Sequence, residues 1–338
     1  SCRKKSRNKS ASKLSKTRRE RFWTKYQSIT AVLGWLSYIN DTAWRWNDGI
    51  RKIDGKEIIL GKFPDGTPLL KPDIDFSKYD DCKRATLTWH FESNEEMVAV
   101  MFLTRHLQRN GILFIDLVMP YIPNARQDRV KSSNDVFTLK YFAEFINELA
   151  FDTVTVLDPH SSVSEALIDN IIIENPKKYI NKAMASIGGF ALTAEDDRKP
   201  LMAFYPDEGA MKRYSGLIPM AYAFGIKKRD WESGKILGLD AAGSTDLIPM
   251  SDVLIIDDIS SRGGTFYHSA KKLKELGANK IYLYVSHCEA TILDGEIFKS
   301  GLIDKVFTTN SIFNAEAMKR AEELGVAEMI EVFEYEKD

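Results

Sequence analysis

The chain has 338 residues, 44% hydrophobic and 28% charged, with a formal net charge of −1 at neutral pH. That is room for about two ordinary domains with the composition of a soluble globular protein. No apolar run approaches the roughly 20 residues that span a bilayer. The basic start lacks the apolar region of a secretory signal, and Cys2, Cys82 and Cys288 form neither a disulfide framework nor a zinc pattern, which points to a reducing cytoplasm.

In chain order, residues 1–21 are dense in Lys and Arg, with Glu20 alone opposing them. Such a block reads as a disordered tail, or a helix only when bound, and its one conceivable partner is nucleic acid or another anionic surface. Leu33, Leu36 and Ile39 repeat at helical spacing, so 22–46 is expected to be a helix packed on the main body. Residues 57–61 read as a short strand, followed by the turn Phe63-Pro64-Asp65-Gly66. A strand at 85–89, an amphipathic helix at 94–109, a buried strand at 112–119, a helix at 137–149 and a strand at 153–157 follow. Residues 175–199 form a polar join. The alternation then resumes, with strands at 201–204, 220–225, 253–256 and 280–286 and helices at 209–215 and 266–276. Strands alternating with helices specify a mostly parallel sheet flanked by helices, and the pattern occurs twice. The expected organisation is a basic extension with a helix (1–50), one α/β domain (51–185) and a second (186–338).

Several loops follow strands, where ligands of open α/β sheets bind. The most informative is 253–265. A short apolar run ends in Asp257 and Asp258, and a turn through Ser261, Arg262, Gly263, Gly264 and Thr265 leads into a helix. Glycines there let backbone N–H groups converge on an anion, and the helix adds its positive end. Adjacent acids suit sugar hydroxyls; the cradle suits a phosphate. Upstream, the loop 120–129 carries Arg126, Gln127 and Arg129, and a guanidinium fork matches phosphate oxygens. Asp158-Pro159-His160 closes the next strand, with His160 a candidate metal contact. Asp207, in Pro206-Asp207-Glu208-Gly209, could face a magnesium ion bound to phosphates. Lys227, Lys228 and Arg229 open a polar stretch running to Ser244, a candidate lid whose cations would stabilise charge on transferring phosphates.

Taken together and in order, these motifs resemble the ribose-phosphate pyrophosphokinase family, over about residues 55–315. The carriers are Phe63-Pro-Asp65-Gly66, Ala125 to Arg129, Asp158-Pro-His160, Pro206-Asp-Glu-Gly209, Lys228-Arg229 and Asp257 to Thr265. The opening of the 94–109 helix and Thr308-Thr-Asn310-Ser-Ile312 add to the likeness. The resemblance implies an α/β fold of two tandem phosphoribosyltransferase-type (type I) domains. It also implies transfer of the β,γ-diphosphate of ATP to the 1-hydroxyl of ribose 5-phosphate, with Mg²⁺ as cofactor and AMP as the leaving product. By the same resemblance, Phe63, Asp65, Arg126 and Gln127 bind ATP, Phe63 and Asp65 from a neighbouring subunit. His160 and Asp207 serve the metal, and Lys228 and Arg229 close over the transition state. Asp257 and Asp258 hold the ribose hydroxyls, and 261–265 hold the 5′-phosphate. A homo-oligomer, dimer or hexamer, is expected on the same ground.

Three departures stand out. Thr67 occupies the family's Glu position in the Asp-Gly-Glu turn, Ser261-Arg262 replaces its Asp-Thr, and 171–199 and the tail after Phe313 diverge. Arg262 would crowd a monophosphate or reach a second phosphate, which keeps ADP-ribose open as an acceptor, as in phage enzymes that rebuild NAD. A non-catalytic regulatory subunit would have no need of Lys228, Arg229, His160 and Asp207. A base phosphoribosyltransferase would share only the 253–265 loop.

Overall fold

A computed structural model of the chain describes residues 50–58, 60–79, 83–188, 199–229 and 236–337. The basic segment, the helix expected at 22–46, Cys2 and Cys82 lie outside the described residues.

The first sheet opens with β1 (Ile50–Ile53) and β2 (Lys56–Glu57), an antiparallel pair. The single strand expected at 57–61 is instead two elements. β3 (Leu60–Lys62) leaves the sheet to pair with β4 (Pro68–Leu70), and the Phe63–Gly66 turn is the tip of that hairpin. β5 (Arg84–Trp89), β6 (Phe114–Val118), β7 (Thr153–Leu157) and β8 (Ile171–Glu174) complete the order β2-β1-β5-β6-β7-β8, parallel from β5 onward. Helix α1 (Glu96–Arg109) follows β5, α2 (Thr138–Glu148) follows β6 and the short α3 (Val163–Leu167) follows β7. Leu87, Trp89, Leu103, Leu107, Leu139 and Ile146 form the centre of this core, all buried. Each such side chain contributes about 1.5–3 kcal/mol relative to exposure.

The polar join is not structureless. Residues Lys177–Ile187 form α4, whose Tyr179, Ile180, Ala183 and Met184 are buried on one stripe while its lysines face out. That stripe packs into the core of the second sheet. The second sheet runs β11-β10-β9-β12-β13-β14-β15. Its strands are β9 (Leu201–Tyr205), β10 (Tyr222–Arg229), β11 (Ile236–Gly243), β12 (Asp252–Ser260), β13 (Ile281–Cys288), β14 (Lys305–Thr309) and β15 (Ile330–Phe333). β10 and β11 are antiparallel and the rest parallel. Helices α4 and α5 (Glu208–Tyr214) cover one face; α6 (Gly264–Glu275) and α7 (Ala315–Glu323) cover the other.

Two further expectations change. β12 does not end before Asp257 but continues through both acids to Ser260. The polar stretch from Lys227 is largely strand: Lys227, Lys228 and Arg229 finish β10, paired to β11 with a bulge between Lys228 and Arg229. Residues 230–235, between the two strands, lie outside the described residues.

Candidate functional site

The carboxyl ends of β7, β9 and β12 converge on a cleft of about 1000 Å³. His160, Asp207, Asp257, Asp258 and residues 261–265 all line it, so residues 105 positions apart at the extremes share one cavity. Phe63, Asp65, Arg126 and Gln127 are not among its lining residues.

The phosphate-type loop has the geometry its glycines suggest. Gly263, at φ 75°, is the N-cap of α6 and offers no side chain to the helix amides. A Cβ built on Gly263 would stand 2.4 Å from Ile297 Cγ1, so only glycine fits. A Cβ on Gly264 would meet nothing within 4 Å; its outer side is open. The first N–H groups of α6 therefore present an uncapped positive end to the cleft. Arg262 and Thr265, both exposed, flank it.

At the end of β12 the two acids differ. Burial, together with the neighbouring Asp258 charge, pushes the Asp257 carboxyl well above the usual carboxylate range. Asp258 is buried too, which alone would raise it, yet the hydrogen bond from His160 and the charge of Arg213 hold it below its ordinary value. His160 Nδ1 lies 2.6 Å from Asp258 Oδ2. That bond raises the His160 pKa against the effect of burial. The two neighbouring carboxyls are thus pushed in opposite directions, Asp257 toward its protonated form and Asp258 toward its charged one.

Asp207 caps α5: its Oδ1 accepts from Ala210 N at 3.1 Å. Pro206 precedes it, Gly209 lies in the first turn of α5, and both Asp207 and Gly209 line the cleft. Magnesium takes one or two carboxylates and keeps waters and substrate phosphates as its other ligands. Asp207 and His160 both line the cleft. Among the described residues no cluster of three or more His, Cys, Asp or Glu could hold a metal by itself.

On the first lobe, Ala125 is buried while Arg126 and Gln127 are exposed. Arg126 pairs across the seam with Glu289, and Glu289 in turn accepts from Thr291 Oγ1 at 3.1 Å. Asp128 accepts from Ser161 Oγ at 2.8 Å, tying this loop to the one that carries His160. In the β3–β4 turn, Asp65 Oδ1 accepts from Thr67 N at 3.0 Å and Thr67 Oγ1 at 2.7 Å, and the hydroxyl bond lowers the Asp65 pKa. Thr67 therefore holds Asp65 in place. The backbone of Lys228 and Arg229 pairs with β11, beyond the part of β10 that meets β9.

The seam between the lobes holds residues the motifs did not single out. Asp158, 2% exposed, accepts from Arg213, Tyr214 and Ser286 of the second lobe. His287, fully buried on β13, sets Nε2 3.0 Å from the Leu157 carbonyl and Nδ1 2.8 Å from Ser311 Oγ. Two carbonyls at Nε2 require the proton there, so Ser311 donates to Nδ1. Burial pushes the His287 pKa down to about 4. Arg213 lies in α5, four residues beyond the Pro206–Gly209 motif; Ser286 and His287 lie in a buried strand with no local signal.

No family model matches the chain. Curated relatives do. It is 25% identical over 279 residues to "Ribose-phosphate pyrophosphokinase" of Thermococcus kodakarensis, covering 79% of this chain and 90% of the relative. It is 26% identical over 238 residues to the protein of that name from Bradyrhizobium diazoefficiens, covering 67% and 70%. Among solved structures, phosphoribosylpyrophosphate synthetase from Mycobacterium smegmatis superposes with a TM-score of 0.59 at 16% identity, covering 82% of this chain and 85% of that one. The chain is similar to ribose-phosphate pyrophosphokinases over most of its length, and it shares their fold of two mostly parallel sheets flanked by helices.

Proposed function

We propose that the protein is a ribose-phosphate diphosphokinase, transferring the β,γ-diphosphate of ATP to the 1-hydroxyl of ribose 5-phosphate. The observation that carries this reading is one cleft holding an uncapped helix N-terminus beside two adjacent acids, in a chain similar to enzymes of that name.

The acceptor's 5′-phosphate takes the α6 amides with Ser261 and Thr265. Asp257 and Asp258 hold the ribose hydroxyls, which fixes the sugar at both ends. The 1-hydroxyl oxygen then bonds to the β-phosphorus and gives up its proton to solvent, the bond from that phosphorus to the α–β bridging oxygen breaks, and AMP leaves with that oxygen. Little covalent chemistry is asked of the protein; alignment and charge do the catalysis. Lys228 and Arg229 supply cations from the end of β10. Arg126, Gln127, Phe63 and Asp65 bind ATP, the last two from a neighbouring subunit of a homo-oligomer. Asp207 and His160 would hold Mg²⁺, which would supply positive charge against the phosphate oxygens.

A second reading has one observation in its favour. Arg262 lines the cleft beside the phosphate loop, and its charge reaches Asp294 beyond it. That position would serve an acceptor with a 5′-diphosphate, such as ADP-ribose. Supplying each acceptor separately with ATP and Mg²⁺ and measuring AMP decides the matter. AMP with ribose 5-phosphate supports the first reading, AMP with ADP-ribose alone replaces it with the second, and AMP with neither removes both.

A further inference from the structure

Asp158 adopts φ 42°, a left-handed conformation uncommon for a residue with a Cβ. Such strain persists only where surrounding contacts over-determine it. Here the donors to its carboxylate come from the opposite lobe. Arg213 Nη2 lies 2.6 Å from Asp158 Oδ1 and donates to the Pro159 carbonyl at 2.6 Å. Tyr214 OH donates to Asp158 Oδ2 at 2.9 Å, and Ser286 Oγ donates to the same oxygen. His287 Nε2 reaches the Leu157 and Asp158 carbonyls at 3.0 and 3.3 Å. From the same guanidinium, Nη1 stands 3.7 Å from Asp258 Oδ2, the oxygen that His160 also meets.

We infer that Arg213 is a positioning residue: its guanidinium ties the Asp158–Pro159 turn of the first lobe to Asp258 of the second, and so sets His160 and Asp258 in register. The inference rests on the function proposed above for its catalytic consequence, but the geometric claim stands apart from it. A planar fork is required, because one side chain must meet a carboxylate, a carbonyl and a second carboxylate in different directions. A lysine can satisfy the charge but not all three directions. The first lobe ties this loop through its backbone and through Ser161, with Asp158 N donating to the Glu174 carbonyl at 3.0 Å; the donors to the Asp158 carboxylate belong to α5 and β13.

Two readouts test it. The chain has five histidines, so ring ¹⁵N–¹H spectra of the full protein can follow His160 by itself once His160→Gln assigns it. In Arg213→Ala the His160 ring signals are expected to move. The kcat for AMP release falls about 10- to 100-fold, while the KM for ATP stays within about threefold. Arg213→Lys gives an intermediate kcat, and guanidinium at non-denaturing concentration restores part of the activity of Arg213→Ala. A purely structural role would lower the unfolding midpoint without moving His160 or the kcat of the folded fraction, and that result overturns the inference. If Arg213→Ala does not fold, Tyr214→Phe and Ser286→Ala each remove one donor to Asp158; unmoved His160 signals in both overturn it equally. If the wild type releases no AMP, the proposed activity fails while the ring signals still decide the positioning claim.

Discussion

Gly263 and Gly264 are neighbours in the chain but not in what they tolerate, and the contrast tests whether the α6 loop is an anion site. At Gly263 an alanine would keep φ 75°, costing about 1–2 kcal/mol for an L-residue in the left-handed region. Its Cβ would sit 2.4 Å from Ile297 Cγ1 and 3.0 Å from Cδ1 in a packed core. Over-packing of that kind adds about 1–3 kcal/mol. Gly263→Ala should therefore destabilise the protein by about 2–5 kcal/mol in total. At Gly264 the Cβ meets nothing, and the residue opens a helix where alanine is favoured. Gly264→Ala should leave stability within about 0.5 kcal/mol of wild type. The open space beside Gly264 is, however, where the acceptor phosphate is proposed to approach. The methyl should raise the acceptor KM about tenfold, a loss of about 1.4 kcal/mol of binding, with the ATP KM unchanged. Urea unfolding followed by tryptophan fluorescence, paired with steady-state AMP release at saturating ATP, reads both quantities. A stable Gly264→Ala protein with wild-type acceptor KM would refute the placement of the phosphate on this loop.

Three other outcomes follow from the same geometry. His287 is neutral in the fold, with its pKa depressed from 6.5 to about 4, so the unfolded chain binds more protons between those values. Its contribution to stability is whole above about pH 6.5 and is lost as pH falls to about 4, a change of about 3 kcal/mol. Asp158 and Asp257 titrate with the opposite sign, because burial raises both. The clean measurement is therefore the stability difference between wild type and His287→Gln, which should narrow by that amount from pH 7 to pH 4; a pH-independent difference contradicts the neutral buried imidazole. Lys228→Ala should lower kcat by about 10²–10³-fold with ATP binding retained, read by nucleotide titration alongside turnover; normal turnover removes Lys228 from the reaction. Arg262→Thr should shift the ratio of kcat/KM toward ribose 5-phosphate over ADP-ribose, and an unchanged ratio leaves Arg262 without a part in acceptor choice.

Much of the fold was legible because local pattern and tertiary role agree. The run Thr153–Leu157 is apolar and bounded by turn residues, and it is β7 to the residue. α1 and α2 carry apolar stripes at helical spacing and start within two residues of expectation. α4 was hidden because Lys177, Lys178 and Lys182 give its outer face the look of a linker, while Tyr179, Ile180, Ala183 and Met184 supply a narrow buried stripe. β11 was hidden because it is an edge strand, half-exposed and glycine-containing, with no continuous apolar run. His160, Asp207, Asp257, Asp258 and 261–265, which share one cleft, were legible as candidates because each lies beside the end of a recognisable apolar run. The seam was not legible. Asp158 meets Ser286 across 128 positions, and nothing in the local pattern around Ser286 or His287 distinguishes them from any buried strand. Their importance exists only once two lobes are brought together.

The central claim is that two phosphoryl groups move together from ATP to a sugar hydroxyl. It is tested most directly with ATP labelled in the γ-phosphate, ribose 5-phosphate and Mg²⁺, followed by separation of the products. The account predicts AMP in equal amount to a sugar diphosphate that carries the label. Label in inorganic phosphate, or a labelled sugar monophosphate accompanied by ADP, would contradict it.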